Sequence, residues 1–316
     1  MKTISICIPV FNEAKNLPVA IDAIEKLFTE KLARYALEIV VTDNASTDNT
    51  WQVILDLAST RKHMKAFRFA RNFGYQNSVF AGLFLASGDA VVELDADLED
   101  PPQVIPAFVR RWEEGFEVAY GVRARRFTPW YLRVLFSLFY AVLNRISDLK
   151  IPENSGDFRL LDRKVLDALK QFPERNLYLR GLVTFVGFRQ VPVTYDRQPR
   201  LSGSSKFRFL HYVLLAFDAI TAFSKTPLRL IGMCGIGLFI SAMALAAFYL
   251  YGQIRYGTPV PGFTTLVVLT LLMHSIEFIF LGVLGEYLSR IFDDAKGRPR
   301  VIIAEAVNAN EFPRVL

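Results

Sequence analysis

Short apolar runs alternate with helix-like stretches through the first part of this 316-residue chain. The runs predict strands at Ile4–Val10, Leu37–Thr42, Ala66–Ala70, Ala90–Leu94, Val118–Val122 and, further on, Val191–Tyr195. Strands that alternate with helices at short spacing form βαβ units and a mostly parallel sheet. The pattern therefore predicts an α/β, Rossmann-like fold, in which the polar loops after the strands lie at the ligand-binding edge of the sheet.

Two carboxylates, Asp95 and Asp97, follow the fourth predicted strand within the stretch Glu93–Pro102. Side chains alternate along a strand, so residues two apart point to the same side. Two carboxylates aimed at one point repel each other unless a cation lies between them. Oxygen ligands favour Mg²⁺ or Mn²⁺, which usually bridge a protein carboxylate to a substrate diphosphate. An isolated pair of this kind is also compatible with a turn whose acids are solvated, so the pair alone does not establish a metal site.

Two long apolar runs lie beyond Pro227, at Leu228–Tyr251 and Phe263–Leu288. Each is long enough to cross the ~30 Å of hydrocarbon in a bilayer. The sequence therefore predicts two transmembrane helices within residues 226–290, followed by a tail at 291–316.

The basic residues predict how these spans are oriented. The loop between the spans, Gly252–Gly262, holds a single cation, Arg255, whereas both outer flanks are rich in Lys and Arg. Positive flanks stay on the cytoplasmic side of a membrane. No signal-peptide pattern precedes the first strand. We therefore expect the domain at 1–225 and both termini to be cytoplasmic.

Two further stretches, about 128–146 and 207–224, mix large apolar side chains with Arg. They are too apolar for ordinary surface helices and too short and charged to span a membrane. The composition is typical of amphipathic helices that lie in the bilayer interface. For the stretch at 128–146, a buried core helix or a helix in an oligomer contact remains an alternative.

The formal net charge of +6 is moderate, and its basic clusters flank apolar stretches. This distribution indicates a membrane headgroup surface, not a nucleic-acid partner. The two cysteines, Cys7 and Cys234, fall in a predicted buried strand and a predicted span. Their positions exclude a disulfide between them, and neither has a metal-ligand neighbour at Cys-x-x-Cys spacing.

Six motifs occur in order: Pro9–Glu13, Asp43–Ser46, Arg71–Gly74, Asp95–Pro102, Gly156–Arg159 and Arg200–Lys206. Together they resemble family 2 glycosyltransferases, most closely the polyprenyl-phosphate branch with dolichol-phosphate mannose synthase and the bactoprenol glucosyltransferases. The resemblance covers about residues 3–225, and the two-span tail matches the bacterial members. It implies a GT-A fold, a nucleotide-sugar donor (commonly a UDP-sugar), a polyprenyl phosphate acceptor and inversion at the sugar.

The resemblance implies a donor site formed by Pro9, Val10, Asn12, Glu13, Asp43, Asn44, Arg71, Asn72, Gln76 and Asp95. Asp43 is expected to accept a hydrogen bond from the uracil imide, although it could also cap the next helix. Asp95 and Asp97 are expected to hold Mg²⁺ or Mn²⁺ on the diphosphate, where the metal stabilises charge on the leaving UDP.

The resemblance also implies an acceptor side, with phosphate-binding candidates Arg123, Arg159, Arg200 and Lys206. For each of these cations, attraction to lipid headgroups is the alternative. Asp157 is expected to be catalytic. A phosphate monoester with a second pKa of ~6 is already largely anionic, so a general base is not required. Asp157 could instead orient the acceptor, bind sugar hydroxyls or take the last proton.

The expected protein is a membrane-anchored inverting transferase in a bacterial plasma membrane, moving a sugar from a UDP-sugar to undecaprenyl phosphate for cell-envelope glycan modification. Glucose is favoured, while N-acetylhexosamine, mannose and an aminoarabinose derivative stay open. A processive polysaccharide synthase of the same fold is one alternative. A non-catalytic nucleotide-sugar-binding scaffold for a flippase is another. Glycines in both predicted spans would permit close helix contacts in a homo-oligomer.

Overall fold

One mixed β-sheet with helices on both faces organises the protein. A computed structural model describes residues 1–124, 155–172, 179–198, 226–256, 262–309 and 312–316. The strands are β1 (Thr3–Val10), β2 (Ala36–Asp43), β3 (Met64–Phe69), β4 (Ala90–Glu93), β5 (Val118–Arg123), β6 (Ser155–Asp162), β7 (Gln190–Tyr195) and β8 (Ile303–Val307). Their order across the sheet is β7-β5-β6-β4-β1-β2-β3-β8.

Among the residues described, eight helices connect the strands, and the first six of them pack on the two faces of the sheet. They are α1 (Asn16–Lys31), α2 (Thr50–Thr60), α3 (Tyr75–Leu85), α4 (Ile105–Glu113), α5 (Arg163–Leu169), α6 (Leu179–Phe185), α7 (Thr226–Tyr256) and α8 (Phe263–Ala295). A short 3-10 turn at Pro102–Val104 leads into α4. The α/β fold predicted from the sequence is confirmed.

The hydrophobic core of the described part of the chain consists of two clusters, one on each face of the sheet, so the central strands are buried on both sides. Along β1, Ile6 packs with α1, α2 and α4 on one face, while Cys7 packs with α3, α5 and α6 on the other. Full burial of one such aliphatic side chain contributes roughly 1.5–3 kcal/mol. This two-sided burial explains why the strand reads as a continuous apolar run.

The parallel centre places the ends of β1, β2 and β4 at one edge of the sheet. β1 pairs in parallel with both β2 and β4, and Val10 lies opposite Asp43 in the register. The loops that follow these three strands are therefore neighbours, as expected for a parallel sheet.

β6 is a strand that the sequence does not predict. Asn154–Leu160 has the pattern of a polar turn, yet Ser155–Asp162 forms a strand between β4 and β5, antiparallel to both. Its charged residues are paired inside the protein, so polarity is a misleading guide there. The sheet is consequently mixed, and the prediction of a mostly parallel sheet is corrected to that extent.

β8 comes from the segment that the sequence pattern predicts to be a tail. Ile303–Val307 lies antiparallel to β3 at the edge of the sheet. Trp51 of α2 donates a 3.2 Å hydrogen bond to Glu305, and Phe312 packs edge-on against Phe67 with 6.0 Å between ring centroids. The end of the described chain is thus part of the sheet.

α7 and α8 expose large apolar side chains along their length. Met233, Phe239 and Phe248 are exposed on α7, and Phe278 and Leu288 are exposed on α8. Within the described ranges, no helix is both long and apolar enough to cross a membrane. The two predicted spans therefore have no support from the structure. The predicted interfacial helices at 128–146 and 207–224 lie outside the described residues.

Candidate active site

The acidic loop after β4 brings two carboxylates together. Tyr75 at the start of α3 donates a 2.9 Å hydrogen bond to Oδ1 of Asp95. Burial and the nearby charge of Asp97 raise the pKa of Asp95 to about 7, although the Tyr75 hydrogen bond opposes the rise. A divalent cation between the two carboxylates would relieve their mutual repulsion.

The donor set fits a hard divalent ion that keeps ligand positions for a substrate. No group of three or more His, Cys, Asp and Glu side chains that could hold a metal occurs in the part of the chain that the structure describes. A pair of carboxylates is the usual protein contribution to Mg²⁺ when substrate phosphates complete the shell. Asp95 and Asp97 fit that role.

Asp157 lies beside this loop because of the antiparallel register of β6. Glu93 pairs with Arg159, so the residues preceding Arg159 run alongside those that follow Glu93. Asp157 is correspondingly one of the charges that raise the pKa of Asp95. The sheet thus brings together the three carboxylates predicted to be catalytic, from segments about 60 residues apart in the sequence.

Arg180 of α6 binds the carboxylate of Asp157. Its Nε lies 2.7 Å from Oδ1 and its Nη2 lies 3.1 Å from Oδ2, and Arg159 lies 3.5 Å from Oδ1. Burial alone would raise the pKa of Asp157, but Arg180, Arg159 and Arg123 outweigh burial and hold that pKa below its usual value. Asp157 is therefore an oriented carboxylate ion.

Glu93 is a buried acid that the sequence motifs do not single out. Neither carboxylate oxygen makes a hydrogen bond, and Arg159 Nε lies 3.8 Å from Oε2. Burial first, and then the charge of Asp157, raise the pKa of Glu93 well above its usual value. Because a raised pKa favours the neutral acid, the burial of Glu93 beneath the site acts against further negative charge beside Asp95 and Asp157.

Asp43 is the last residue of β2, and one of its carboxylate oxygens forms no hydrogen bond. Oδ1 accepts a 3.0 Å hydrogen bond from the Ser46 N–H, whereas the buried Oδ2 has no hydrogen bond and lies 3.5 Å from Arg68 Nε. Burial raises the pKa of Asp43, opposed by Ser46 and Arg68. Asp43 does not cap a helix, because α2 begins only at Thr50. Oδ2 forms no hydrogen bond, so in addition to its ion pair with Arg68 it can accept one from an N–H donor on a ligand.

Several predicted donor-binding side chains hold the loops together. The Asn12 carboxamide oxygen accepts from Thr47 N–H at 2.8 Å, and Asn12 has a left-handed φ of 61°. The Asn44 amide donates to Asn72 at 3.1 Å, and Phe73 N–H donates back to Asn44 at 2.9 Å. Loops after β1, β2 and β3 are thereby locked to one another. Such locking preorganises a pocket and does not require that these amides touch a ligand.

The remaining predicted donor residues lie around the same edge. Pro9 and Val10 end β1, and Glu13 binds the Asn16 amide at 2.6 Å. Arg71 stacks on Phe73 with 4.2 Å from its guanidinium carbon to the ring centroid. Gln76 accepts a 3.4 Å hydrogen bond from the Leu179 N–H at the start of α6.

The predicted acceptor-side cations divide into three situations. Arg123 lies next to the acidic loop, 3.2 Å from Asp100 Oδ2. Arg159 is 3% exposed and donates to the carbonyl oxygens of Gly156 and Asp157. Those contacts favour a structural role beneath Asp157 over contact with a phosphate. Arg200 and Lys206 lie outside the described residues.

The chain is similar to a known protein family and to several of its members. Residues 5–170 match the family model described as glycosyl transferase family 2. The chain is 36% identical to the uncharacterized glycosyltransferase sll0501 of Synechocystis, covering 98% of this chain and 97% of that protein. It is 38% identical to the SfII prophage-derived bactoprenol glucosyl transferase of Shigella flexneri, covering 97% and 99% of the two chains.

One solved structure aligns with most of the chain. The mannosyltransferase PcManGT from Pyrobaculum calidifontis, in complex with GDP-Man and Mn²⁺, aligns over 91% of this chain and 87% of its own. The sequence identity is 18% and the TM-score is 0.48.

Proposed function

Because the chain belongs to glycosyl transferase family 2, we propose that it transfers a sugar from a UDP-sugar to a polyprenyl phosphate. The observation that carries this proposal is the meeting of three features at one edge of the sheet. A buried carboxylate oxygen of Asp43 has no hydrogen bond, Asp95 and Asp97 form a repelling pair, and Asp157 is a fixed carboxylate. These features suit a base, a metal-bound diphosphate and a reacting sugar, in that order.

The donor half of the reaction follows from Asp43 and the acidic loop. Oδ2 of Asp43 would accept the uracil imide N–H, which distinguishes uracil from cytosine because N3 of cytosine carries no hydrogen. Asp95 and Asp97 would hold Mg²⁺ or Mn²⁺. The ion, when bound, acts as a Lewis acid that stabilises negative charge on the departing diphosphate.

The acceptor half requires little proton transfer. The phosphate of the lipid is largely anionic near neutral pH, so its oxygen can attack the sugar C1 directly as the C1–O bond to UDP breaks. Asp157 carries a lowered pKa and two hydrogen bonds from Arg180. Those properties support a role in orienting the sugar or the acceptor and in stabilising positive charge that develops at C1.

The names of the bactoprenol glucosyl transferase relatives support undecaprenyl phosphate as acceptor and glucose as the sugar. To test the reaction, detergent-purified protein would be given undecaprenyl phosphate, Mn²⁺ and a panel of radiolabelled UDP-sugars and GDP-mannose. We expect label in the extracted lipid from UDP-glucose, and loss of that label with EDTA or with Asp97→Asn. A protein that binds UDP but labels no lipid with any donor would contradict the proposal and favour a scaffold.

We also propose that the protein works at a bacterial plasma membrane, with its sheet domain in the cytoplasm. The exposed apolar side chains of α7 and α8 support contact with lipid. Membranes from cells expressing the full chain would be washed with alkaline carbonate. Retention in the pellet would support integral insertion, and release would indicate a surface-bound protein. Recovery in the soluble fraction before any wash would contradict membrane association.

A further inference from the structure

Tyr195, the last residue of β7, forms a triangle with Asp100 and Arg123 beside the acidic loop. The Tyr195 hydroxyl donates to Oδ1 of Asp100 at 2.5 Å, and Arg123 Nη2 donates to Oδ2 of Asp100 at 3.2 Å. Arg123 Nε also lies 3.4 Å from the Tyr195 hydroxyl oxygen. Each oxygen of Asp100 is therefore bound by a different residue, which fixes the plane of the carboxylate and, with it, the guanidinium of Arg123.

The triangle is built into the protein interior. Tyr195 is 6% exposed and Asp100 is 3% exposed, and the Tyr195 ring meets Phe158 edge-on with 5.7 Å between centroids. Hydrogen bonds away from water are stronger and hold geometry more tightly than exposed ones. Arg197 adds a second cation, with its Nε 3.7 Å from Asp100 Oδ1.

Two glycines on adjacent strands leave the space that the triangle occupies. A Cβ at Gly121 would lie 2.6 Å from Cε1 of Tyr195, and a Cβ at Gly156 would lie 3.1 Å from Nη2 of Arg123. A Cβ at Gly121 would require the Tyr195 ring to shift, and a Cβ at Gly156 would require Arg123 to move by a few tenths of an ångström. The triangle thus depends on side-chain space from β5 and β6 as well as on its own hydrogen bonds.

We propose that Tyr195 and Asp100 are positioning residues that hold Arg123 for the phosphate of the acceptor. Arg123 lies between the acidic loop and Asp157, whose pKa it helps to lower. A guanidinium fixed there offers its remaining N–H groups to an anionic oxygen arriving beside the sugar. The inference rests on the proposed transfer to a polyprenyl phosphate. It extends that proposal to two residues that are not among the site residues predicted from the sequence.

The test measures acceptor and donor kinetics separately in full-length protein. Tyr195→Phe keeps the ring against Gly121 but removes the hydroxyl. We expect kcat/KM for undecaprenyl phosphate to fall roughly 10-fold, while the Kd for UDP with Mn²⁺ stays within about twofold. Gly156→Ala, which displaces Arg123 with Tyr195 intact, is expected to show the same acceptor-specific loss.

Tyr35→Phe is the matched control. The Tyr35 hydroxyl also donates a hydrogen bond to a carboxylate, that of Glu113, the last residue of α4. Loss of the Tyr35 hydroxyl is therefore expected to affect stability without affecting acceptor binding. If the wild type is active and Tyr195→Phe has the same kinetics as Tyr35→Phe, this inference is overturned while the proposed function stands. Equal losses in donor and acceptor binding would also overturn it. A wild type that labels no lipid would overturn the proposed function and this inference with it.

Discussion

The guanidinium of Arg180 binds the carboxylate of Asp157 through two hydrogen bonds, 2.7 Å from Nε to Oδ1 and 3.1 Å from Nη2 to Oδ2. Paired hydrogen bonds of this kind fix both the distance and the plane of a carboxylate. They also favour the charged form, so the pKa of Asp157 lies below its usual value in spite of burial. Asp157 therefore enters the reaction ionised and oriented.

We first predict that Arg180→Lys lowers kcat by roughly 10- to 100-fold. A lysine cannot hold the Asp157 carboxylate by two parallel hydrogen bonds. A small displacement of a group at a reacting centre has effects of this size on the rate. Arg180→Gln should additionally raise the pKa of Asp157. At saturating Mn²⁺, its rate should then begin to fall at a higher pH than the wild-type rate does as the pH is lowered. Arg111→Lys, which alters an exposed ion pair with Glu114, is the control. Wild-type kinetics in both Arg180 variants would contradict the role.

The second prediction concerns metal binding and pH. The pKa of Asp95 is raised from 3.8 to about 7 by burial and by Asp97, so protons compete with the metal below pH 7. Mn²⁺ affinity, measured by calorimetry, should fall as the pH is lowered from 8 to 6, by up to about tenfold per pH unit below the pKa. Equal affinities at the two pH values would contradict this prediction.

The same shift makes the metal-free protein less stable as the pH rises. Between pH 4 and 7 the unfolded chain has released the Asp95 proton that the folded protein keeps. Stability then decreases with rising pH across this window. Asp95→Asn should flatten this part of a plot of unfolding free energy against pH, and saturating Mn²⁺ should offset the loss in the wild type.

The third prediction tests Asp43 against the nucleotide base. Asp43→Asn replaces the buried acceptor with an amide, so UDP affinity should fall roughly 10-fold or more. CDP should lose less affinity than UDP, because an amide N–H can donate to N3 of cytosine. Titration calorimetry of both nucleotides measures the change. Asp56→Asn, an exposed change on α2, is the control, and equal UDP binding by Asp43→Asn and the wild type would contradict the assignment.

The fourth prediction tests the packing behind the donor loops. A Cβ on Gly82 of α3 would lie 2.2 Å from Cys7 Sγ and 3.4 Å from Thr42 Cγ2. Gly82→Ala should therefore destabilise the protein by roughly 1–3 kcal/mol. Gly232→Ala on α7 is the matched control, because no described atom lies within 4 Å of its added Cβ. Equal unfolding temperatures for the two variants would contradict the close contact.

Much of this sheet could be predicted because its central strands are buried on both faces and read as apolar runs. β6 could not, since Asp157 and Arg159 make it look like a turn, and the charge of Asp157 is compensated by Arg180 from another segment. Pairing across the fold is invisible to a local pattern. One feature of the sequence could have identified Arg180, because it is the one charged residue in the stretch Leu179–Phe185.

Site residues followed the same division. Motifs at strand ends led to the edge of the sheet where β2 ends at Asp43 and where Asp95 follows β4. They did not distinguish side chains facing a ligand from those that tie loops together, such as Asn12 and Asn44. Both kinds are polar and both follow strands, so only hydrogen-bond geometry separates them.

β8 has a consequence for how the protein is made. The strand beside β3 is translated after both long helices, about 108 residues after β7 ends. At 5–20 residues per second, a ribosome needs roughly 5 to 20 s for that stretch. Throughout that interval the emerging sheet domain has an open edge at β3, a surface that invites pairing with other chains. Completion of the sheet therefore waits on the synthesis of α7 and α8, and a chain stalled before Ile303 leaves the ribosome with that edge uncovered.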